Sequence, residues 1–368
     1  MTRHHCYRFS GSRHRESAVD LSPPFAKPEL LAGVGYLPLL LENLVIISFL
    51  DGSVVAYEKG TRAVRWRFRL NAGYEAGLPF LGSLLFNGKQ LILSDGGDLV
   101  ILDPTSGELQ VREKIDEINL RNGSPLPDGF IATYRMGESY HLGRFRSPDW
   151  NKPVWTLPVP LAVEPIAASR QVCCCHGELG EIISVDPDSG TERWRLSVKE
   201  QGAFVDDLGR TRKGEIASDL ILWKDIVIAG VRGNRVIALD GRSGSLRWSV
   251  AVDSLTPSNL TLDASGILHL LAPSRYYQID ARDGKIASDV NVEASLEQHK
   301  LFAVGHLDVS TTYVFAADLH GTLFALEQAS GKVTLKFVLG TQVPFSNYPL
   351  LADDRMYHLD GAGVLRTF

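Results

Sequence analysis

Short apolar segments recur along the chain, and each is followed by a polar turn of the form Asp-x-x-Ser/Asp-Gly or a close variant. After the turn comes a second segment that often carries Trp. Short apolar runs bounded by Asp, Ser and Gly are typical of β-strands joined by tight turns. The clearest copies are LVILDPTSGELQV, IISVDPDSGTERW, RVIALDGRSGSLRW, YYQIDARDGKIAS and LFALEQASGKVTL.

The spacing inside each copy predicts a hairpin turn. An acidic side chain can accept N–H bonds from the residues just after it, and a glycine supplies the left-handed conformation that closes the loop. Trp194 and Trp248 follow their glycines by four positions, and an aromatic ring there is expected to pack against the next sheet. Looser copies end at Trp66 and Trp155. The acid and glycine pairs are Asp103 and Gly107, Asp186 and Gly190, Asp240 and Gly244, Asp280 and Gly284, and Glu327 and Gly331.

The distances between copies indicate the size of the repeating unit. The acids follow one another at intervals of 83, 54, 40 and 47 residues, and the first interval has room for two units. A four-stranded propeller blade needs about 40–50 residues. The sequence therefore predicts an all-β fold, a single β-propeller of four-stranded antiparallel blades. Seven complete units lie at about 37–70, 78–115, 120–158, 163–198, 215–252, 257–292 and 302–339, with a partial unit at about 347–368.

The partial last unit raises the question of how the ring closes. It has three candidate strands, so we expect a strand from the N-terminus, near Cys6–Phe9, to complete it and remove the open sheet edge. Eight blades is the prediction, and seven blades with a loose end is the alternative. Residues 1–35 are interpreted as an N-terminal arm that includes the closing strand, and residues 36–368 as the propeller.

The phrases VIALDGRSGSLRW and ISVDPDSGTERW resemble the repeat of the pyrroloquinoline-quinone-like (PQQ-like) propellers. That family includes quinoprotein alcohol dehydrogenases and the outer-membrane assembly factor BamB. The resemblance extends over nearly the whole chain after residue 35 and implies the propeller fold. It does not select a function, because the same repeat serves enzymes, scaffolds and binding modules.

The resemblance to quinoprotein dehydrogenases makes the cysteines worth testing. In those enzymes the quinone lies beside a Ca²⁺ ion and adjacent cysteines form a disulfide near it. Here Cys173, Cys174 and Cys175 fall on a predicted strand, where cysteine is a common buried residue, so we interpret them as packing residues with a vicinal disulfide as the alternative. We find no set of Asn, Glu and Asp that matches Ca²⁺ ligation, and we predict no cofactor, no metal and no catalytic residue.

Net charge and hydrophobic patterning indicate which kind of partner and which location to expect. The net charge of −5 argues against a nucleic-acid binder. The N-terminal segment lacks the apolar run of a signal peptide, no lipoprotein signal is visible, and the longest apolar stretch, 37–50, is too short and polar to span a membrane. We therefore expect a cytoplasmic, monomeric protein whose partner is another protein, unless a misassigned start hides an export signal.

Two features are the candidate binding surface. The turns joining second to third strands carry mostly acidic residues, which would favour a basic partner. A charged insertion at 199–215, with Phe204 expected to be exposed, should project from the same face. The candidate contacts are Asp51, Asp95, Glu138, Glu178, Phe204, Asp206, Asp207, Arg210, Arg212, Asp318 and Asp360.

Three functions fit these features. The first is a non-catalytic protein-binding or scaffold module, such as a bacterial immunity protein that caps a toxin. The second is a BamB-like assembly factor with an unrecognised export signal. The third is a quinone-dependent oxidoreductase, which the missing ligand set disfavours.

Overall fold

The computed structural model describes most of the chain, and all statements below concern that part. The described residues are 29–30, 38–49, 52–61, 63–71, 84–95, 97–115, 118–159, 166–168, 173–177, 180–206, 208–218, 220–257, 260–292, 307–317, 322–338, 350–352, 355–359 and 364–367. Within them the regular structure is all β. The strands form four-stranded antiparallel sheets, as the sequence predicts, and the described sheets of this kind number eight.

The strands divide between two compact units. The first unit holds Gly35–Ser197 and the turn Gly241–Gly244. Its four sheets keep the order of the chain, each strand pairing with the next. The first two are β2 (Leu39–Leu40), β3 (Leu44–Ser48), β4 (Ser53–Glu58) and β5 (Val64–Arg69), then β6 (Leu85–Phe86), β7 (Leu91–Asp95), β8 (Asp98–Leu102) and β9 (Leu109–Lys114). The next two are β10 (Asn119–Leu126), β11 (Gly129–Met136), β12 (Ser139–Arg146) and β13 (Trp155–Val159), then β14 (Ile166–Ala168), β15 (Cys173–Gly177), β16 (Glu181–Val185) and β17 (Glu192–Ser197).

The second unit holds Val198–Asp240 and Ser245–Phe368, together with the N-terminal strand Glu29–Leu30. It begins with a two-stranded hairpin of β18 (Ala203–Val205) and β19 (Thr211–Lys213). Three sheets follow in chain order: β20 (Ile221–Trp223), β21 (Ile226–Val231), β22 (Arg235–Asp240) and β23 (Leu246–Ala251); β24 (Leu260–Leu262), β25 (Ile267–Leu271), β26 (Arg275–Asp280) and β27 (Ile286–Asn291); β28 (Asp308–Val309), β29 (Tyr313–Ala317), β30 (Thr322–Glu327) and β31 (Val333–Val338).

The last sheet combines both ends of the chain, as predicted, but not with the predicted strand. Its order is β1 (Glu29–Leu30), β34 (Val364–Thr367), β33 (Arg355–Leu359) and β32 (Leu350–Ala352). Glu29 pairs with Leu365, and Leu30 pairs with Val364. The prediction of a closing strand near Cys6–Phe9 was therefore wrong in position, and that segment lies outside the described residues.

The burial pattern explains why inner and outer strands differ in sequence. β22 (RVIALD) is buried at four successive apolar positions, and Val236 and Ala238 pack in the cluster that the sheet shares with β24–β26. The outermost strand of the same sheet, β23 (LRWSVA), buries Trp248 and exposes Leu246 and Arg247 beside it. Large apolar clusters lie between successive sheets, so the sheet-to-sheet interfaces are the hydrophobic core.

The acid and glycine turns have the geometry that their spacing predicts. The Asp103 carboxylate accepts N–H bonds from Thr105 (2.9 Å) and Ser106 (2.8 Å), and the Gly107 N–H donates to the Asp103 carbonyl at 2.9 Å. Gly107 has φ +72°, which glycine adopts without strain. The same left-handed conformation occurs at Gly190, Gly244, Gly284 and Gly331.

Four of these turns also receive a tryptophan from the outer strand of the preceding repeat, whereas the turn at Gly331 receives Val290 and Val292 instead. The Trp248 indole N–H donates to the Ala281 carbonyl at 3.0 Å, and its ring lies against Gly284 so closely that a Cβ there would be 2.8 Å from the ring. Trp66, Trp155 and Trp194 dock in the same way on the turns that contain Gly107, Gly190 and Gly244. In these four cases the tryptophan of one outer strand packs on the turn of the following repeat.

The sheet of β10–β13 departs from this rule. The preceding outer strand carries Val111 where β5, β13, β17 and β23 carry Trp, and Val111 packs against a cluster that includes Trp150. Trp150 comes from the turn before β13 and stacks on Phe130 with ring centroids 6.1 Å apart. The turn therefore supplies the aromatic ring that the preceding strand lacks.

Candidate functional site

The insertion between the repeats forms a hairpin, β18–β19, whose turn is held by one carboxylate. Asp206 accepts N–H bonds from Leu208 (3.0 Å) and Arg210 (2.9 Å) on one oxygen. Its other oxygen accepts from the guanidinium groups of Arg210 (3.0 Å) and Arg212 (2.9 Å). These bonds, led by the Arg210 amide and the Arg212 side chain, hold the pKa of Asp206 below its ordinary value. Gly209, with φ +74°, completes the turn.

The base of the hairpin is fixed to the turn between β21 and β22. A Cβ on Gly202 would lie 2.4 Å from the Arg232 carbonyl oxygen, so only glycine fits this approach. The Arg232 N–H donates to the Glu215 carbonyl at 2.8 Å, and its guanidinium lies over the Phe204 ring at 5.1 Å. The hairpin therefore packs on the β21–β22 turn, which joins the second and third strands of the following sheet.

The expectation of an exposed Phe204 was wrong. Phe204 is only 8% exposed, because it faces the β21–β22 turn and anchors the hairpin. The apolar residues that face solvent are Val205 (58% exposed) and Leu208 (74% exposed), which have the highest exposures among the large apolar side chains in the described residues. Val205 and Leu208 were not among the predicted contacts, although a leucine inside a polar insertion was an available signal.

The acidic residues predicted in the second-to-third strand turns differ in their exposure to solvent. Asp95 is 4% exposed, and its carboxylate accepts from Arg112 (2.5 Å) and from the Asn71 amide (2.8 Å). As a partner contact the assignment of Asp95 is therefore wrong, since burial and the Arg112 ion pair use the carboxylate internally. Glu138 is exposed in the β11–β12 turn beside Met136. The remaining acids, Asp51, Glu178, Asp207, Asp318 and Asp360, lie outside the described residues.

The internal role of Asp95 gives a stability prediction. Asp95→Asn should lower the free energy of unfolding by about 1–3 kcal/mol, because the amide cannot replace a buried charge-assisted bond to Arg112. Glu138→Gln is the matched control, and an exposed substitution of this kind should change stability by less than about 0.5 kcal/mol. Urea unfolding of both variants measures the difference. Equal effects would contradict the assignment of Asp95 to the interior.

A second network of titratable side chains, away from the hairpin, consists of Asp263, His269 and Tyr276. His269 and Tyr276 are buried, and the His269 Nδ1 lies 2.5 Å from the Tyr276 hydroxyl. Burial raises the pKa of Asp263, but hydrogen bonds from His269, the Ile267 amide and Ser265 outweigh it and lower the pKa to about 2. These side chains bond to one another between β24, β25 and β26, so the network serves packing within one sheet.

The lowered pKa of Asp263 predicts an acid sensitivity. The carboxylate has its ordinary pKa of 3.8 in the unfolded chain and a pKa of about 2 in the fold. Its contribution to stability is therefore present above about pH 4 and is lost as the pH falls towards 2. Asp263→Asn should flatten the fall in unfolding free energy over this pH range. Identical pH profiles for the two proteins would contradict the assignment.

Two other kinds of site are not found among the described residues. No group of three or more His, Cys, Asp or Glu side chains in those ranges could hold a metal ion. Among the same residues, no helix is long and apolar enough to cross a membrane. Cys173–Gly177 forms the second strand of its sheet, where the sequence analysis placed the cysteine run.

Comparison with solved structures identifies the fold that these sheets form. A likeness to the crystal structure of BamB from Moraxella catarrhalis has a TM-score of 0.66 at 13% identity, over 94% of this chain and 98% of that chain. A quinohemoprotein alcohol dehydrogenase from Comamonas testosteroni gives a TM-score of 0.64 at 12% identity, over 98% of this chain and 78% of that chain. At such identities the likeness shows the β-propeller fold alone.

Sequence comparison adds a family and one curated relative. Serine/threonine-protein kinase AfsK from Streptomyces griseus is 24% identical over 197 residues, which are 50% of this chain and 23% of the kinase. This chain therefore spans less than a quarter of the kinase. A family model described as outer membrane protein assembly factor BamB matches residues 19–195, 147–268 and 272–368. The chain belongs to this BamB family of PQQ-like β-propellers.

Proposed function

We propose that this protein is a non-catalytic scaffold that binds another protein through the β18–β19 hairpin. The observation that carries the proposal is Leu208, held 74% exposed at the tip of a turn that Asp206 fixes. Leaving a large apolar side chain in water on a pre-formed turn is unfavourable for an isolated protein. It becomes favourable when a partner buries the side chain, and a pre-formed turn lowers the ordering cost of binding.

The family supports an assembly role more than the alternatives. The matching model is that of an assembly factor, so we propose a scaffold in protein assembly as the first candidate. The toxin-immunity hypothesis relied on acidic turns around one mouth, and Asp95, one of those acids, is buried against Arg112. At the hairpin the Asp206 carboxylate pairs with Arg210 and Arg212, so this carboxylate does not favour a basic partner.

Affinity capture with the full chain tests the proposal. The chain should retain a protein in stoichiometric amount through gel filtration. Titration with pyrroloquinoline quinone and Ca²⁺, followed by absorbance, is the parallel arm for the oxidoreductase alternative. Absence of any retained protein together with stoichiometric quinone binding would overturn the proposal.

Cell fractionation separates the two scaffold roles. We propose a cytoplasmic location, and recovery in the cytoplasmic fraction would support a cytoplasmic scaffold. Recovery in the periplasmic or outer-membrane fraction would instead favour the assembly role that the family name describes.

A further inference from the structure

The outer strand β5 carries an unusual row of charge. Arg65, Arg67 and Arg69 alternate with the inward-facing Trp66 and Phe68, and the three arginines are exposed. β5 is the last strand of its sheet, so among the described residues one of its backbone edges has no strand beside it. Alternate residues of a strand project to the same side at intervals of about 6.8 Å. β5 therefore presents a regular cationic row along an open edge.

An internal comparison shows what the corresponding arginines do in another repeat. On β17, Arg193 and Arg195 flank Trp194 as Arg65 and Arg67 flank Trp66. Arg193 pairs with Asp186 at 2.5 Å, and Arg195 pairs with both Glu181 and Glu192 at 2.8 Å. Outer-strand arginines in this fold are thus ordinarily neutralised by carboxylates of their own sheet.

The first sheet lacks those carboxylates at the matching positions. When β4–β5 is aligned with β16–β17 by strand pairing, Ser53 stands at the position of Glu181 and Val64 at the position of Glu192. Arg65 has Glu58 at 3.6 Å, longer than its counterpart's 2.5 Å. Arg69 already interacts within the chain, so the arginines considered for partner binding are Arg65 and Arg67. The difference leaves cationic charge on β5 that β17 neutralises internally.

We infer that the β5 edge binds an extended acidic segment of a partner protein. Such a segment can add a strand to the open edge, and carboxylates at every second position would match the spacing of the arginines. A second copy of the same edge is disfavoured, because like charges would lie opposite each other. This surface is separate from the β18–β19 hairpin and does not depend on the proposed function of that hairpin.

Synthetic peptides provide a direct test with the full chain. Two fluorescein-labelled peptides of equal composition are compared by anisotropy at low ionic strength, where surface charge interactions are strongest. One has glutamate at alternate positions, and the other has its glutamates in one block. We expect the alternating peptide to bind about tenfold tighter, a difference of about 1.4 kcal/mol. A single-stranded oligothymidylate of similar charge tests a nucleic-acid ligand.

Matched neutralising variants locate the site. Arg65→Gln/Arg67→Gln should weaken binding of the alternating peptide about tenfold, whereas Arg193→Gln/Arg195→Gln should leave it unchanged. Circular dichroism checks that both variants fold, and Arg67→Gln alone is the fallback if the double variant does not. The inference is overturned by absence of peptide binding, by equal binding of the two peptides, by tighter binding of the oligonucleotide, or by equal losses in the two variants.

Discussion

Replacing Trp248 with alanine is expected to destabilise the fold by about 3–5 kcal/mol, as large-to-small changes of buried aromatic residues do. Trp248 is 8% exposed, and its ring fills the space between its own sheet and the turn of the next. Its N–H donates to the Ala281 carbonyl, so the variant also leaves a buried acceptor without that donor. The change therefore removes packing and a hydrogen bond at once.

Two companion variants separate these contributions. Trp248→Phe keeps most of the apolar contact and should cost less than the alanine variant. Leu246→Ala changes an apolar residue on the same strand that is 47% exposed, and it should shift stability by less than about 1 kcal/mol. Urea unfolding with tryptophan-independent circular dichroism measures all three. Equal losses for Trp248→Ala and Leu246→Ala would show that the indole does not link the two sheets.

The second large effect is expected at Gly284, on the other side of the same contact. Gly284 has φ +74°, and a Cβ would lie 2.8 Å from the Trp248 ring. Gly284→Ala should therefore combine backbone strain of about 1–2 kcal/mol with overpacking of about 1–3 kcal/mol. The midpoint of thermal unfolding should fall accordingly.

Two other glycines provide controls for the Gly284 variant. Gly137 has φ +65°, and nothing lies within 4 Å of the position that a Cβ would occupy, so Gly137→Ala should show the strain alone. Gly60 lacks a left-handed φ and also has open space, so Gly60→Ala should be near neutral. The predicted order of destabilisation is Gly284, then Gly137, then Gly60. Equal losses at Gly284 and Gly137 would mean that the indole contact adds nothing.

Much of the fold was predictable because the repeat is dictated by local chemistry. The four-residue spacing from Asp186 to Gly190 specifies a turn through the carboxylate and the left-handed glycine, whatever surrounds it. The unit boundaries follow, since strands must fill the space between turns. The closing strand was not predictable at Glu29–Leu30, because a two-residue strand has no periodicity to detect.

The insertion at 199–215 was predicted as an extra segment between repeats, and its role as a binding surface stays a prediction, while two residue assignments in the candidate surface were wrong. The insertion stands out as extra residues between regular repeats, but sequence alone does not show which side of a short hairpin faces the protein. Phe204 turned inward because the Arg232 guanidinium and the β21–β22 turn lie beneath it. Asp95 was predicted as a contact because it lies in a turn between second and third strands, whereas in the structure its carboxylate pairs with Arg112, seventeen positions away.

Binding of the captured partner to Leu208→Asp tests the central claim most directly. Leu246→Asp is the matched control, because Leu246 is also an exposed leucine but lies on the outer strand β23. A charge at a buried contact of the complex should weaken the dissociation constant by about tenfold or more for Leu208→Asp. We expect this loss of affinity for Leu208→Asp and an unchanged dissociation constant for Leu246→Asp. Wild-type affinity in Leu208→Asp, or an equal loss in Leu246→Asp, would contradict it.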